Sequence, residues 1–210
     1  MEIARLIALL ENHGIEWRQP TKVVSTIRGP ESSRLSAEEK VHLFRRLFRG
    51  RTDVYPVRWE SKASGKSGYA PACANEWRPG VCEKPRIKCA DCPNRSLIPL
   101  SDSVIYDHLA GLHTVGVYPL LEDDTCYFLA VDFDEAEWRD DVQAFKRACD
   151  ELGIHVAMEI SRSGRGAHAW IFFASRVQAR AARRLGTAII SHTCASTRQL
   201  RLESYDRLFP

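Results

Sequence analysis

Apolar residues recur along this chain at two periods, and the changes from one period to the other lay out most of its elements. Ile3, Leu6, Ile7 and Leu10 share one face of a predicted helix over 1–13. The polar stretch 25–35, broken by Gly29-Pro30, reads as a linker. Ser36 and Glu39 have capping-box spacing and open a second helix, whose stripe Val41, Phe44, Leu47 and Phe48 runs out at Gly50. Residues 53–60 (DVYPVRWE) predict an edge strand, because Pro56 cannot donate to a ladder. A short helix is expected from Ser101 to about Gly111. Strands near 113–121 and 126–134 follow, joined by the acidic turn Glu122-Asp123-Asp124.

Trp138, Val142, Phe145, Cys149 and Leu152 then form a helical stripe, with Gly153 placed to cap its end. Strands at 154–161 and 167–174, a helix over 176–192 and a strand near 199–204 complete the pattern, the last leading to Tyr205 and Asp206. Strands interleaved with helices in this order predict an α+β fold, a sheet with helices packed on it. Residues 1–35 read as an N-terminal helix and linker. Residues 36–210 read as one domain, with a satellite module at about 61–99.

Composition narrows the class. The 210 residues are 44% hydrophobic and 27% charged, which suits one substantial core in a globular chain. No apolar run approaches the roughly 18–20 residues of a membrane span. Glu2 and Glu11 in the first helix argue against a secretory signal, so a cytoplasmic location without a membrane partner is expected. Net charge is +3, unevenly spread: three basic residues face fourteen acids over 102–160, and nine basic residues face two acids over 161–210. An acidic centre between basic flanks suits cations in the middle and phosphates at the border. Asp140, Asp141, Asp150 and Glu151 read more plainly as solvated helix positions.

Cys73, Cys82, Cys89 and Cys92 fall in a segment with little periodic hydrophobicity. The pair Cys89-x-x-Cys92 is half of a zinc-ribbon pattern, and a metal would supply folding free energy the segment otherwise lacks. Structural Zn²⁺ is the expectation, with an iron–sulfur cluster as the other metal candidate and disulfides disfavoured in the cytoplasm. Cys126, Cys149 and Cys194 lie in apolar patterns and read as core residues.

Two strings carry the chemistry. LAVDFDE at 129–135 ends an apolar run in Asp132 and Asp134, and residues i and i+2 of a strand project from one face. Both carboxylates can therefore share divalent cations. EISRSGRGAHAWIFF at 159–173 is a polar loop entering an apolar strand. Gly164 and Gly166 allow close backbone approach to an anion, Ser163 offers a hydroxyl, Arg165 a bidentate fork and His168 a further donor. A third carboxylate is expected from a separate strand, with Glu203, Asp206 and Glu159 as candidates. Glu159 has the alternative role of ordering the loop.

These strings, with VHLFRRLFRGRTDVYPVRWE, SGKSGYAPAC and LESYDRLFP, resemble the archaeo-eukaryotic primase superfamily from about residue 34 onward. The likeness is greatest to the primase-polymerase domain of TOTE conflict systems, found in microbes and their mobile elements. The resemblance implies an RRM-like catalytic sheet and template-directed joining of nucleoside triphosphates on DNA. It implies that Asp132, Asp134 and Asp206 hold two Mg²⁺ or Mn²⁺ ions, and that Ser163, Arg165 and His168 contact the triphosphate. Helicase and nuclease domains or proteins of the same system are the further partners it implies. Members of the superfamily continue past the late acid, so a chain ending four residues after Asp206 is expected to be a fragment or a shortened member. A nucleic-acid-binding module that no longer catalyses, and a metal-dependent glycosyltransferase built on Asp-x-Asp, are the rival readings.

Overall fold

The computed structural model describes residues 34–134, 138–196 and 205–210. The helix expected over 1–13, most of the linker, the strand expected at 199–204, and Glu137 and Glu203 lie outside these residues. Within the compact unit Ser36–Pro210, the described residues form four α-helices and two antiparallel sheets, a mixed α/β fold consistent with the α+β expectation.

Helix α1 (Ala37–Leu47) begins as the sequence predicts. The Glu39 N–H donates to Ser36 Oγ at 3.2 Å, and the Ser36 N–H donates to Glu39 Oε2 at 2.7 Å. Strands β1 (Pro56–Glu60) and β2 (Ser67–Pro71) pair as a hairpin. β2 has no counterpart among the expected elements, because Ser, Gly and Pro dominate it. Helix α2 (Asp102–Leu109) is capped by Ser101 and holds Ile105 buried. The strand expected at 113–121 does not form. Gly116 donates to the Pro56 carbonyl and Arg58 to that of Thr114, both at 2.9 Å, so this segment lies along β1 rather than beside the main sheet.

The main sheet has the order β4-β5-β3-β6, with β3 Thr125–Asp134, β4 Ala157–Ile160, β5 Gly166–Gln178 and β6 Tyr205–Phe209. Alternation divides its residues between two faces. Leu129, Val131 and Phe133 of β3, with Ala167, Ala169 and Ile171 of β5, point toward helices α3 (Trp138–Glu151) and α4 (Ala179–Ser196) and build the core with Phe145 and Ile189. α3 ends in the glycine-capped motif its sequence forecasts: Gly153 has φ +68°, its N–H reaches the Asp150 carbonyl, and the Ile154 N–H reaches that of Cys149. The α4 stripe is Ala179, Ala182, Gly186, Ile189 and Thr193. Cys194 falls one position beyond that stripe and is exposed, contrary to its expected core role, whereas Cys126 and Cys149 are buried. Asp141, expected to be solvated, is 3% exposed in the first turn of α3, where helix N–H groups favour a carboxylate.

The opposite face has two halves. At one end Phe48, just past α1, packs edge-on against Phe128, Trp170 and Phe172. The other half, toward the C-terminal end of β3, is polar and is not covered by α3 or α4.

Candidate active site

Sheet register places four residues in one row across the polar half. Glu159 of β4 lies opposite His168 of β5, His168 opposite Asp132 of β3, and Asp132 opposite Arg207 of β6. Directly opposed residues share a face, so acids and bases alternate along the row. Asp134 lies one step further along β3, opposite Gly166.

Asp206 joins this face through an irregularity. Arg207 pairs with Asp132 and Tyr205 with Phe133, so Asp206 is an extra residue inserted between them. In unbroken register Asp206 would oppose Phe133 and point into the core. The bulge leaves Tyr205 to pack against the core and re-aims Asp206. Asp132, Asp134 and Asp206 consequently bring carboxylate oxygens within 4.8 Å of one another, the group the described residues offer for a metal ion. Glu159, an alternative third acid in the sequence, does not belong to that group. It stands on the far side of His168.

The electrostatics follow from this crowding. Burial pushes the Asp132 carboxyl above the ordinary range, the charges of Asp134 and Asp206 push the same way, and His168 opposes them. His168 Nε2 lies 3.4 Å from Asp132 Oδ1, and Nδ1 lies 3.5 Å from Glu159 Oε2. Glu159 raises the imidazole pKa most, against the effect of burial. Glu159 is itself held below its usual range, first by His168 and also by the Trp170 indole N–H, which donates to Oε2 at 2.9 Å.

The Ser/Gly/Arg loop connects β4 to β5. The Ser163 hydroxyl accepts from the Arg165 N–H at 3.2 Å and contacts Ser161 Oγ at 3.1 Å, and Gly164 takes the left-handed conformation at φ +70°. Gly166 proves to have a steric function beyond the anion approach read from sequence: it packs against Asp134 and the Phe133 carbonyl. Arg162 donates to Thr114 Oγ1 at 3.0 Å and ties the loop to the segment before β3. The described arginines of 176–201, which follow the loop, lie away from the acids. Arg180, Arg183 and Arg184 are exposed on α4, which covers the sheet face opposite the acids, and Arg176 pairs with Asp123. Arg198 and Arg201 lie outside the described residues.

Cys73, Cys82, Cys89 and Cys92 line one small pocket. The Ser96 N–H points at Cys73 Sγ from 3.3 Å. Ala72 is the sole buried residue over 61–99.

No helix among the described residues is long and apolar enough to cross a membrane. No curated protein matches the chain. A family profile does: "TOTE conflict system, Archaeo-Eukaryotic Primase domain", over residues 39–210.

Proposed function

The chain belongs to the archaeo-eukaryotic primase domain family of TOTE conflict systems, and on that premise we propose that it is a template-directed nucleotidyltransferase that joins nucleoside triphosphates to a 3′-hydroxyl on DNA. The observation that carries this reading is the convergence of Asp132, Asp134 and Asp206 on an open sheet face beside His168. Three carboxylates held that close repel one another, and a half-buried Asp132 adds a desolvation cost. Such a donor set fits hard divalent cations with oxygen ligands, Mg²⁺ or Mn²⁺. Bound there, two such ions would supply activation of the attacking hydroxyl and charge neutralisation on the leaving pyrophosphate.

The remaining tasks fall to the chain's own groups. His168 presents Nε2 toward the acids, in position to donate to a phosphate oxygen of the incoming nucleotide. In the 161–166 loop the Gly164 N–H is taken by the Ser161 carbonyl and the Arg165 N–H by the Ser163 hydroxyl, so the group assigned to the triphosphate is the Arg165 guanidinium. Ser163 orders that turn through the Arg165 N–H while keeping its hydroxyl at the loop surface. The RRM-like catalytic sheet of this proposal is the four-stranded β4-β5-β3-β6 array, and template contacts are assigned to the basic stretch 58–101 rather than to α4.

The cysteine module is assigned structural Zn²⁺. Four thiols around one pocket, a backbone N–H aimed at one sulfur, and a segment with a single buried side chain fit a metal-held fold. Four ligands would leave no open coordination position, so this metal takes no part in the chemistry.

Primer extension on a DNA template with Mg²⁺ or Mn²⁺ tests the reading. Incorporation by the full chain that disappears in Asp132→Ala is expected. Equal incorporation by that variant would reject the catalytic assignment, and template binding without any incorporation would favour a non-catalytic nucleic-acid module.

A further inference from the structure

Glu159 lies outside the acid group, yet its surroundings are built. It stands directly opposite His168 in the β4–β5 register, on the side away from Asp132. Trp170, two residues beyond His168 on the same face, turns its indole N–H back to Glu159 Oε2 at 2.9 Å. That bond fixes the carboxylate beside the imidazole. His168 Nδ1 is buried and has no hydrogen-bond partner, while Glu159 Oε2 waits at 3.5 Å. A buried ring nitrogen without a partner is costly, and the nearest acceptor is already oriented. Catalytic hydrogen bonds are often long before substrate binds and tighten afterwards.

We propose that Glu159, braced by Trp170, is the positioning residue for His168. It receives the Nδ1–H, fixes the ring in the plane of the sheet row and thereby aims Nε2 at the triphosphate. The inference rests on the proposed triphosphate contact of His168. It adds that the contact depends on a carboxylate that touches neither metal nor substrate, with an indole as its brace. The aromatic half of the sheet is thereby coupled to the polar half: Trp170, clamped by Phe48 at 4.9 Å between ring centroids, carries both the packing and the hydrogen bond.

Calorimetric titration of the full chain with a nucleoside triphosphate in Ca²⁺, which supports binding without turnover, tests this directly. Glu159→Ala and His168→Ala should each weaken binding about tenfold. The double variant should be no weaker than His168→Ala, because one contact is lost in both. Glu159→Gln, whose amide oxygen can still accept from both N–H groups, should stay within about threefold of wild type. Trp170→Phe, which keeps the ring and loses the donor, should shift binding in the same direction as Glu159→Ala. Additive losses in the double variant, or a Glu159→Gln as weak as Glu159→Ala, would overturn the positioning role. Those results leave the polymerase reading standing, whereas wild-type protein that binds no triphosphate removes both.

Discussion

Gly166 lies opposite Asp134 so closely that a Cβ at position 166 would overlap the Asp134 carboxylate oxygen and come within 2.5 Å of the Phe133 carbonyl oxygen. The second contact is with backbone of the central strand, which cannot swing aside as a long side chain could. Gly166→Ala must therefore separate β5 from β3 at the end that carries the acids. We expect a loss of about 1–3 kcal/mol in urea unfolding and a larger proportional loss of primer extension. Gly164→Ala makes a useful contrast: its φ of +70° brings conformational strain, but a Cβ there meets no atom within 4 Å. That variant should lose stability modestly without parting the two strands.

Asp132 should be a stability liability in the absence of divalent cations. Its carboxyl is pushed upward by burial and by its acidic neighbours, so the folded protein holds that proton more tightly than the unfolded chain does. Stability then falls as pH rises through the raised pKa, and the cost is absent below the unfolded value. Asp132→Asn in EDTA should melt higher than wild type at pH 7, with the gap closing as pH drops toward 4. Mn²⁺ should raise the wild-type melting temperature and leave the variant nearly unchanged. A variant that melts lower than wild type throughout would show that the His168 contact outweighs burial.

Asp206 depends on packing from the far side of the sheet. A Cβ on Gly186 of α4 would meet Leu208 Cδ1 at 2.7 Å and Leu129 Cδ2 at 3.1 Å. Leu208 lies two residues from Asp206 on the edge strand β6. Gly186→Ala gains up to about 1 kcal/mol in helix propensity but pushes on β6. Its expected signature is near-neutral stability with reduced metal-dependent activity. Leu208→Ala alone should cost about 2–4 kcal/mol or less, since Leu208 is only partly buried. The two together should cost less than their sum, because the alanine side chain occupies space that Leu208 vacates. A strictly additive pair would show that Gly186 does not set the position of β6.

How far the sequence could be read depended on distance along the chain. The capping box of Ser36 and Glu39, the glycine cap at Gly153 and the shared face of Asp132 and Asp134 each rest on a few neighbouring residues, and each appears in the structure. The partnership of Glu159 with His168 was not legible, because it depends on which residues of β4 and β5 oppose one another. Asp206 was one of three candidates for the same reason: its inclusion follows from a bulge in the β3–β6 register. Residues 113–121 alternate like a strand, yet their backbone bonds run to the β1 region, a choice made by tertiary contacts. The arginines of α4 follow the Ser/Gly/Arg loop in sequence but fold onto the opposite face of the sheet. Asp141 shows the limit of charge counting, since a carboxylate can be buried where a helix terminus receives it.

The cysteine segment offers a separate test, independent of catalysis. Ala72 is its single buried residue, so apolar burial contributes little to holding 61–99 in place. The exposed ion pair of Arg86 with Glu83 contributes little in water, and the partly buried pair of Lys84 with Glu76 at 2.6 Å is a single contact within the segment. If Zn²⁺ holds the segment, metal analysis of the purified chain should give one zinc per molecule, and Cys89→Ser with Cys92→Ser should abolish it. The chain beyond the module keeps its own core of Leu129, Phe133, Phe145 and Ile189, so the sheet should remain folded in that variant. Limited trypsin digestion should then cut first at Arg86 or Lys88, which lie between Cys82 and Cys89 and, unlike Arg78 and Lys84, are not followed by proline. Zinc-free wild-type protein that resists trypsin in this segment would reject the metal, and a coloured, iron-containing protein would assign the four thiols to an iron–sulfur cluster instead.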